Sequence, residues 1–250
     1  MTIVYRLKCH SLTVSFGGNV ALDNCAVEFT SGSISAVIGP NGAGKTTLVN
    51  VISGYVKPSN GECEMEGVVL SRLHPYQIAR LGIRRTFQVP RLVKRFDALE
   101  NLLLAFPDQN AERLAWALIG SSQQEGRNRQ KALHILDEIG IVPDGRLVAA
   151  MSFGEQKLLS VGCCLAADPQ IIILDEPFAG ADLQVRTKLL ACLRRQRING
   201  KTLVLIEHDM SVVRDISDEV AVLSKGKLVC QGPTEEVMAS SEVLNVFAGR

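Results

Sequence analysis

The chain has no long apolar run, no paired-cysteine motif and almost no net charge. No uninterrupted apolar stretch approaches the ~20 residues a membrane-spanning helix needs. The expectation is therefore a chain that does not cross a bilayer and meets a membrane only through a partner. The opening residues, Met1 to His10, mix charged with apolar side chains and do not read as a signal peptide. Basic and acidic residues nearly cancel, 27 against 26, leaving a net charge of +1. Bulk charge therefore gives no reason to expect nucleic acid as a partner. Seven cysteines (Cys9, Cys25, Cys63, Cys163, Cys164, Cys192 and Cys230) form no C-x-x-C, and none pairs with a histidine at metal-ligand spacing. This odd, scattered set fits reduced thiols in a cytosolic protein, not a disulfide framework. Cys163 and Cys164 lie in an apolar helical stretch and read as packing. There is no internal repeat and no low-complexity segment.

What is present is a large apolar fraction, 46% of 250 residues. That is enough for a sizeable core in one large domain or two intimate lobes. The most informative stretch is Gly39-Pro40-Asn41-Gly42-Ala43-Gly44-Lys45-Thr46-Thr47. The apolar run Ile34 to Ile38 precedes it and Leu48 to Ile52 follows. This is G-x-x-x-x-G-K-[ST] in its required setting of strand, loop and helix start. Glycines let the backbone curl so that successive N–H groups face inward. With the helix N-terminus they form a cradle for phosphate oxygens. Lys45 can reach β- and γ-phosphates, the Thr46 hydroxyl can ligate Mg²⁺, and Thr47 would sit near the α-phosphate.

Residues 3–30 alternate as strands do, with a break at Gly17-Gly18-Asn19, and predict two antiparallel strands around a turn. Phe16, just before that turn, reads either as a core aromatic at a strand end or as a ring on which adenine stacks. Periodicity favours the core. Lys57 to Gly61 is a turn, Glu62 to Leu70 a strand pair, and Pro75 to Leu81 a short helix closed by Gly82. Ile83 to Gln88 is strand-like and ends in an amide. Residues 89–165 form a mostly helical insert. Within it Leu92 to Ala105 is mixed, and a polar stretch surrounds Leu114 to Leu118, where Trp116 reads as packing or a loop anchor. Ala132, Leu133, Leu136 and Ile139 fall at helical spacing, with Gly140 as a stop. Ile171 to Leu174 and Leu203 to Ile206 are unbroken apolar runs, as parallel strands buried on both faces require. The helical stretch Leu183 to Ile198 lies between them, so the pattern is βαβ. Glu219 to Leu223 and Lys227 to Cys230 make a hairpin. Thr234 is placed to cap a last helix, with Glu235 and Glu236 against its positive end.

Asp175 and Glu176 follow the first apolar run directly. In open parallel sheets ligands collect at the carboxyl ends of strands. An Asp there can hold Mg²⁺ through water, and the neighbouring Glu can polarise an attacking water. His208, after the second run, can bond a γ-phosphate oxygen or that water. Gln88 can touch Mg²⁺ or water. Read singly, each of these is equally a solvated or structural strand-end residue.

Together the residues resemble the nucleotide-binding subunit of ATP-binding cassette (ABC) transporters, over nearly the whole chain. Phe16 resembles the adenine-stacking aromatic, and Gly39 to Thr47 the Walker A loop. Gln88 resembles the Q-loop glutamine, Ile171 to Glu176 Walker B with its catalytic glutamate, Ala179 to Asp182 the D-loop, and His208 the switch histidine. The family signature, usually L-S-G-G-Q, reads Met151-Ser152-Phe153-Gly154-Glu155. Ser152 and Gly154 remain, to meet the γ-phosphate of an opposite subunit. The aromatic Phe153, Arg85 to Gln88, and Ile206 to Met210 are similar to the branched-chain amino-acid transporter ATPases. Relatives for urea or other amides look alike.

The resemblance implies an α/β P-loop NTPase in a single domain over 1–250. Its RecA-like core with an antiparallel β-subdomain would cover about 1–88 and 166–250, and a helical lobe about 89–165. It implies ATP and Mg²⁺ as cofactors, with Thr46, Gln88 and Asp175 toward the metal. Lys45, Gln88, Glu176 and His208 would be the catalytic residues. The implied partners are membrane permease subunits, a second ATP-binding subunit (the same or a related chain), and indirectly a periplasmic or extracellular substrate-binding protein. The implied location is the cytoplasmic face of the inner membrane. A GTPase would need N-K-x-D, which is absent. A soluble, non-transport ABC ATPase and a nucleotide-binding module without turnover stay open. The lack of sustained heptads or a second cassette counts against the former, and Glu176 with His208 against the latter.

Overall fold

A computed structural model describes residues 7–107 and 122–247; Trp116 and the stretch Leu114 to Leu118 lie outside them. The chain divides into two compact units. Among the described residues, the first comprises those of Met1–Arg85, Gln170–Pro177 and Leu193–Arg250, and the second those of Thr86–Pro169 and Phe178–Cys192.

The first unit holds two sheets. β1 (Leu7–Phe16) and β2 (Asn19–Phe29) pair antiparallel around Gly17-Gly18, and β4 (Asn60–Met65) and β5 (Val68–Val69) extend them in the order β2-β1-β4-β5. The other sheet has six strands. β3 (Ile34–Ile38), β6 (Ile83–Arg85), β7 (Ile171–Asp175), β8 (Thr202–Ile206) and β9 (Glu219–Ser224) run parallel, and β10 (Lys227–Pro233) pairs antiparallel at the edge. The order is β10-β9-β3-β8-β7-β6, so β8 inserts between two strands that precede it in sequence. Every residue of β3, β7 and β8 is buried, as their mostly apolar runs lead one to expect; Ser35, Asp175 and Thr202 are the polar members.

Period-two alternation divides the core. Val37, Ala221 and Leu223 face a cluster built with β1, β2, β4 and helix α1 (Lys45–Ile52). Their neighbours Ala36, Ile38, Val220 and Val222 face the other way, against α7 (Met210–Ile216) and α8 (Thr234–Ala239). Cys9, Cys25 and Cys63 belong to the first cluster as buried thiols. Burial pushes the Cys25 thiol up to about 11, with Cys63 adding to it.

Three expectations need correction. After α2 (Pro75–Arg80), strand β6 stops at Arg85, so Gln88 lies three residues past a strand instead of at its end. Phe16 is 53% exposed and is not a core residue. Thr234 does not cap α8: Pro233 holds that position, and the Thr234 hydroxyl donates to the Ser217 carbonyl at 2.8 Å. Proline presets a φ suited to a helix start and needs no donor there, which leaves the threonine hydroxyl for a neighbouring loop.

The second unit packs α3 (Ala98–Ala105), α4 (Ser122–Glu138) and α5 (Phe153–Leu165). Asp97 caps α3 by accepting the Glu100 N–H at 2.8 Å, and the Glu100 carboxylate accepts the Asp97 N–H at 2.8 Å. The buried Asn101 side chain then fixes the preceding loop. Its Oδ1 accepts the Val93 N–H at 2.8 Å, and its Nδ2 donates to the Val93 and Asp97 carbonyls at 3.1 and 2.8 Å. The helices approach where Gly162 offers no side chain. A Cβ there would lie 2.8 Å from Ile139 and 3.3 Å from Ile135. Gly162→Leu should lower unfolding free energy by about 2 kcal/mol; an unchanged midpoint in chemical denaturation would show that this helix junction has room to spare.

Candidate functional site

The loop after β3 has its shape because side chains are excluded from it. A Cβ on Gly39 would lie 2.1 Å from the Leu223 carbonyl oxygen, and one on Gly44 2.6 Å from the Ala21 carbonyl oxygen. Both residues also have positive φ, 150° and 101°. Gly44 is the N-cap of α1, and its carbonyl accepts the Leu48 N–H at 2.9 Å. Gly44 supplies no side-chain acceptor, so the first N–H groups of the helix have no cap from that residue. The hairpin turn between β9 and β10 braces the loop. The Gly226 N–H donates to the Ala43 carbonyl at 3.1 Å, and the Gly226 carbonyl accepts the Asp23 N–H from β2 at 2.9 Å.

Lys45 opens α1 and folds back over this loop. Its Nζ donates to the Gly39 carbonyl at 2.7 Å and the Pro40 carbonyl at 3.0 Å. Burial lowers the pKa of its ammonium; Glu176 and then Asp175 pull the other way, and burial wins. Thr46 is exposed and Thr47 half-buried.

Asp175 closes β7 in a buried position. Arg85, at the end of the neighbouring β6, donates from Nη2 to its Oδ2 at 2.8 Å, and from Nη1 to Asn50 Oδ1 of α1 at 2.6 Å. Both side chains of the ion pair are 8% exposed. Reading the sequence missed Arg85 and Asn50. Their partners lie 90 and 35 residues apart, and the only local signal was an arginine in an otherwise strand-like run.

Glu176 sits just past the strand at φ 46°, a left-handed backbone that costs a non-glycine residue energy. Its N–H donates to the Ile206 carbonyl at 3.0 Å. Its Oε1 lies 3.9 Å from Nδ1 of His208, which stands exposed two residues beyond β8. The first unit thus brings together the glycine loop, Lys45, Thr46, Asp175, Glu176 and His208 at the carboxyl ends of β3, β7 and β8. Phe16 is in the same unit, at the end of β1.

Gln88, Ser152 and Gly154 belong to the second unit. Gln88 is exposed in the bend after Thr86. Ser152 caps α5: its Oγ accepts the Glu155 N–H at 3.2 Å, and Glu155 Oε2 accepts the Ser152 N–H at 2.7 Å. This is an S-x-x-E capping box, which reading the sequence passed over. A Cβ on Gly154 would lie 3.1 Å from Val185, so the helix start is held close to α6 (Leu183–Ile198). Phe153 is exposed, with the Lys157 ammonium 5.1 Å from its ring. Ahead of α6, Asp182 Oδ1 accepts the Val185 N–H at 2.9 Å. Among the described residues no helix is long and apolar enough to cross a membrane, and no three His, Cys, Asp or Glu side chains cluster as a metal site.

Comparison with known proteins accounts for this arrangement. Residues 22–179 match the family described as ABC transporter. The chain is 34% identical to the high-affinity branched-chain amino acid transport ATP-binding protein LivG of Salmonella typhimurium, over 97% of each chain. It is 33% identical to the corresponding protein BraF of Pseudomonas aeruginosa, again over 97% of each. Among solved structures, the ADP conformation of the ATP-binding cassette MJ1267 matches with a TM-score of 0.84 at 27% identity, over 100% of both chains. A dimeric post-hydrolysis cassette bound to ADP and Pi, MJ0796, matches with a TM-score of 0.76 at 25% identity, over 91% of this chain and 98% of that one. The chain belongs to the ABC transporter family, as an ATP-binding and ATP-hydrolysing protein with the family's P-loop fold.

Proposed function

We propose that this chain is the ATPase subunit of an importer for branched-chain or other amino acids. In this reading it works as a dimer with a second copy or a related ATPase, bound to permease subunits at the cytoplasmic face of the inner membrane. A periplasmic or extracellular binding protein would deliver the substrate. Both units would form one ATP-binding domain over 1–250, with a core of about 1–88 and 166–250 and a helical lobe of about 89–165. The observation that carries the ATPase reading is the gathering of Lys45, Asp175, Glu176 and His208 at one set of strand ends. Full-length similarity to proteins named for branched-chain amino acid transport supports the choice of substrate.

The residues suit a triphosphate. Gly39, Pro40, Asn41, Gly42, Ala43 and Gly44 would wrap the phosphates with backbone N–H groups, and Thr47 would lie beside the α-phosphate. The Lys45 ammonium now rests on two loop carbonyls, weak partners that an anionic oxygen can displace. Phe16, exposed on β1, would offer its face to adenine. Thr46 and Asp175 would hold a Mg²⁺ together with water and phosphate oxygens, and Gln88 would contact the ion or its water. When bound, Mg²⁺ would neutralise charge on the β- and γ-phosphate oxygens. Arg85 holds one Asp175 oxygen and so orients the carboxylate. Glu176 would orient or deprotonate the attacking water, and His208 would hold the γ-phosphate. Ser152 and Gly154 would complete the site of the opposite subunit. ATP then favours the closed dimer by binding it more tightly than the open one.

Lys45→Ala should lower kcat about a hundredfold or more and weaken ATP binding; near-normal steady-state hydrolysis would remove this site. Glu176→Gln should keep ATP binding and accumulate a dimer in Mg-ATP, read by size-exclusion chromatography. A strictly monomeric variant counts against the dimer mechanism. In proteoliposomes with the permease pair, leucine uptake should require ATP, and failure of any amino acid to be taken up would refute the transport reading. Arg85→Met removes one side of a buried ion pair and should cost about 3 kcal/mol of stability. It should also raise the Mg²⁺ concentration for half-maximal nucleotide affinity, and unchanged values of both would make Arg85 dispensable to Asp175.

A further inference from the structure

The segment assigned to the opposite subunit's triphosphate carries a negative charge where one is least welcome. Glu155 stands in the first turn of α5, one residue after Gly154. The capping box consumes the N–H groups of Ser152 and Glu155. It leaves the N–H groups of Phe153 and Gly154, which have no intrahelical acceptor in the first turn, at the positive end of the helix dipole. A full carboxylate charge beside them would oppose the approach of a triphosphate.

Glu155 does not stand alone. Its Oε1 accepts from Arg146 Nη2 at 2.5 Å, while Oε2 is taken by the Ser152 N–H. Arg146 is set by the loop ahead of α5. Its N–H donates to Asp144 Oδ1 at 2.9 Å, and its Nε lies 3.7 Å from Asp144 Oδ2. Burial alone would raise the Glu155 pKa, but the Ser152 N–H, Arg146 and the Ser152 hydroxyl outweigh it and hold the carboxyl below its ordinary range. Together with Lys157 beneath Phe153, the local charges of Asp144, Arg146, Glu155 and Lys157 cancel.

We propose that Arg146 is a positioning residue for nucleotide-driven dimer closure: it neutralises Glu155 and holds it back, so that the start of α5 keeps its attraction for the phosphates of a second subunit's ATP. This rests on the reading above that Ser152 and Gly154 face the opposite subunit's γ-phosphate. A glutamine at position 155 would keep the capping box without the charge, and would make Arg146 unnecessary. That difference separates electrostatics from scaffolding.

The test uses the full chain carrying Glu176→Gln, with Mg-ATP-driven dimerisation followed by analytical ultracentrifugation at low and high salt. Monomer ATP affinity is measured in parallel by calorimetry. Arg146→Ala should weaken dimerisation about tenfold at low salt, leave monomer ATP affinity unchanged, and lose most of its effect in high salt. Arg146→Lys should retain most of the dimer. The double variant Arg146→Ala/Glu155→Gln should dimerise like the parent, a non-additive result expected only for coupled residues. An Arg146→Ala protein that dimerises normally, or a double variant as impaired as Arg146→Ala, overturns the proposal alone. A Glu176→Gln parent that stays monomeric in ATP overturns both this and the dimer reading beneath it.

Discussion

A lysine ammonium turned back onto the carbonyls of its own loop is the constraint on which the rest of the site depends. Lys45 is half-buried, and burial lowers its pKa despite two nearby carboxylates. Backbone carbonyls at 2.7 and 3.0 Å satisfy it only as neutral dipoles. A charge held this way is poised for an anion, because an ionised oxygen adds a charge–charge attraction that a neutral carbonyl dipole does not offer. The loop can hold the lysine there only because Gly39 and Gly44 pass within contact distance of other backbone. The brace from Gly226 to Ala43 and Asp23 keeps that loop from relaxing toward solvent. Fold and affinity are here the same set of contacts.

The sheet then decides what the lysine meets. Because β8 inserts between β3 and β7, the residues that follow three parallel strands end on one side of the sheet. Buried strands in register leave little freedom in where their last residues fall. Asp175 pairs across to Ile206, and the Glu176 N–H reaches the Ile206 carbonyl, so the acidic pair is locked to the strand that leads to His208.

The strands could be read from composition because burial on both faces favours runs of consecutive apolar residues, four each in β7 and β8. The glycine loop was legible for a related reason: its spacing encodes a backbone path that other residues would block. The structure keeps every strand run read from Ile34, Ile171 and Leu203 onward, and Leu183–Ile198 is a helix with those ends. Two kinds of feature stayed hidden. Arg85, Asn50 and Asp175 meet only in three dimensions, and nothing local distinguishes a buried arginine from a solvated one. Phe16 followed the parity of Leu12 and Val14, yet register shifts between Cys9 and Ser15 break that parity before it reaches the end of β1. The Asp97–Glu100 and Ser152–Glu155 boxes were passed over as well, because their spacing means little until the helices they open are seen.

Two adjacent acids with unlike surroundings show how one strand end can serve two chemical ends. Asp175 is the last residue of β7, buried and bound to a guanidinium that is itself tied to the phosphate-loop helix through Asn50. That pairing holds the carboxylate still, which suits a group that must orient a cation's water shell. Glu176 is forced out of the strand into a left-handed backbone, partly exposed, with the His208 imidazole 3.9 Å away. A residue in a strained conformation is held there by its surroundings, here by the Ile206 carbonyl on its N–H. A water must reach the group that polarises it, and of the two carboxylates the Glu176 side chain is the more exposed, 23% against 8%. On that ground the proposed mechanism gives the attacking water to Glu176 and not to Asp175, the same assignment that the family resemblance implies.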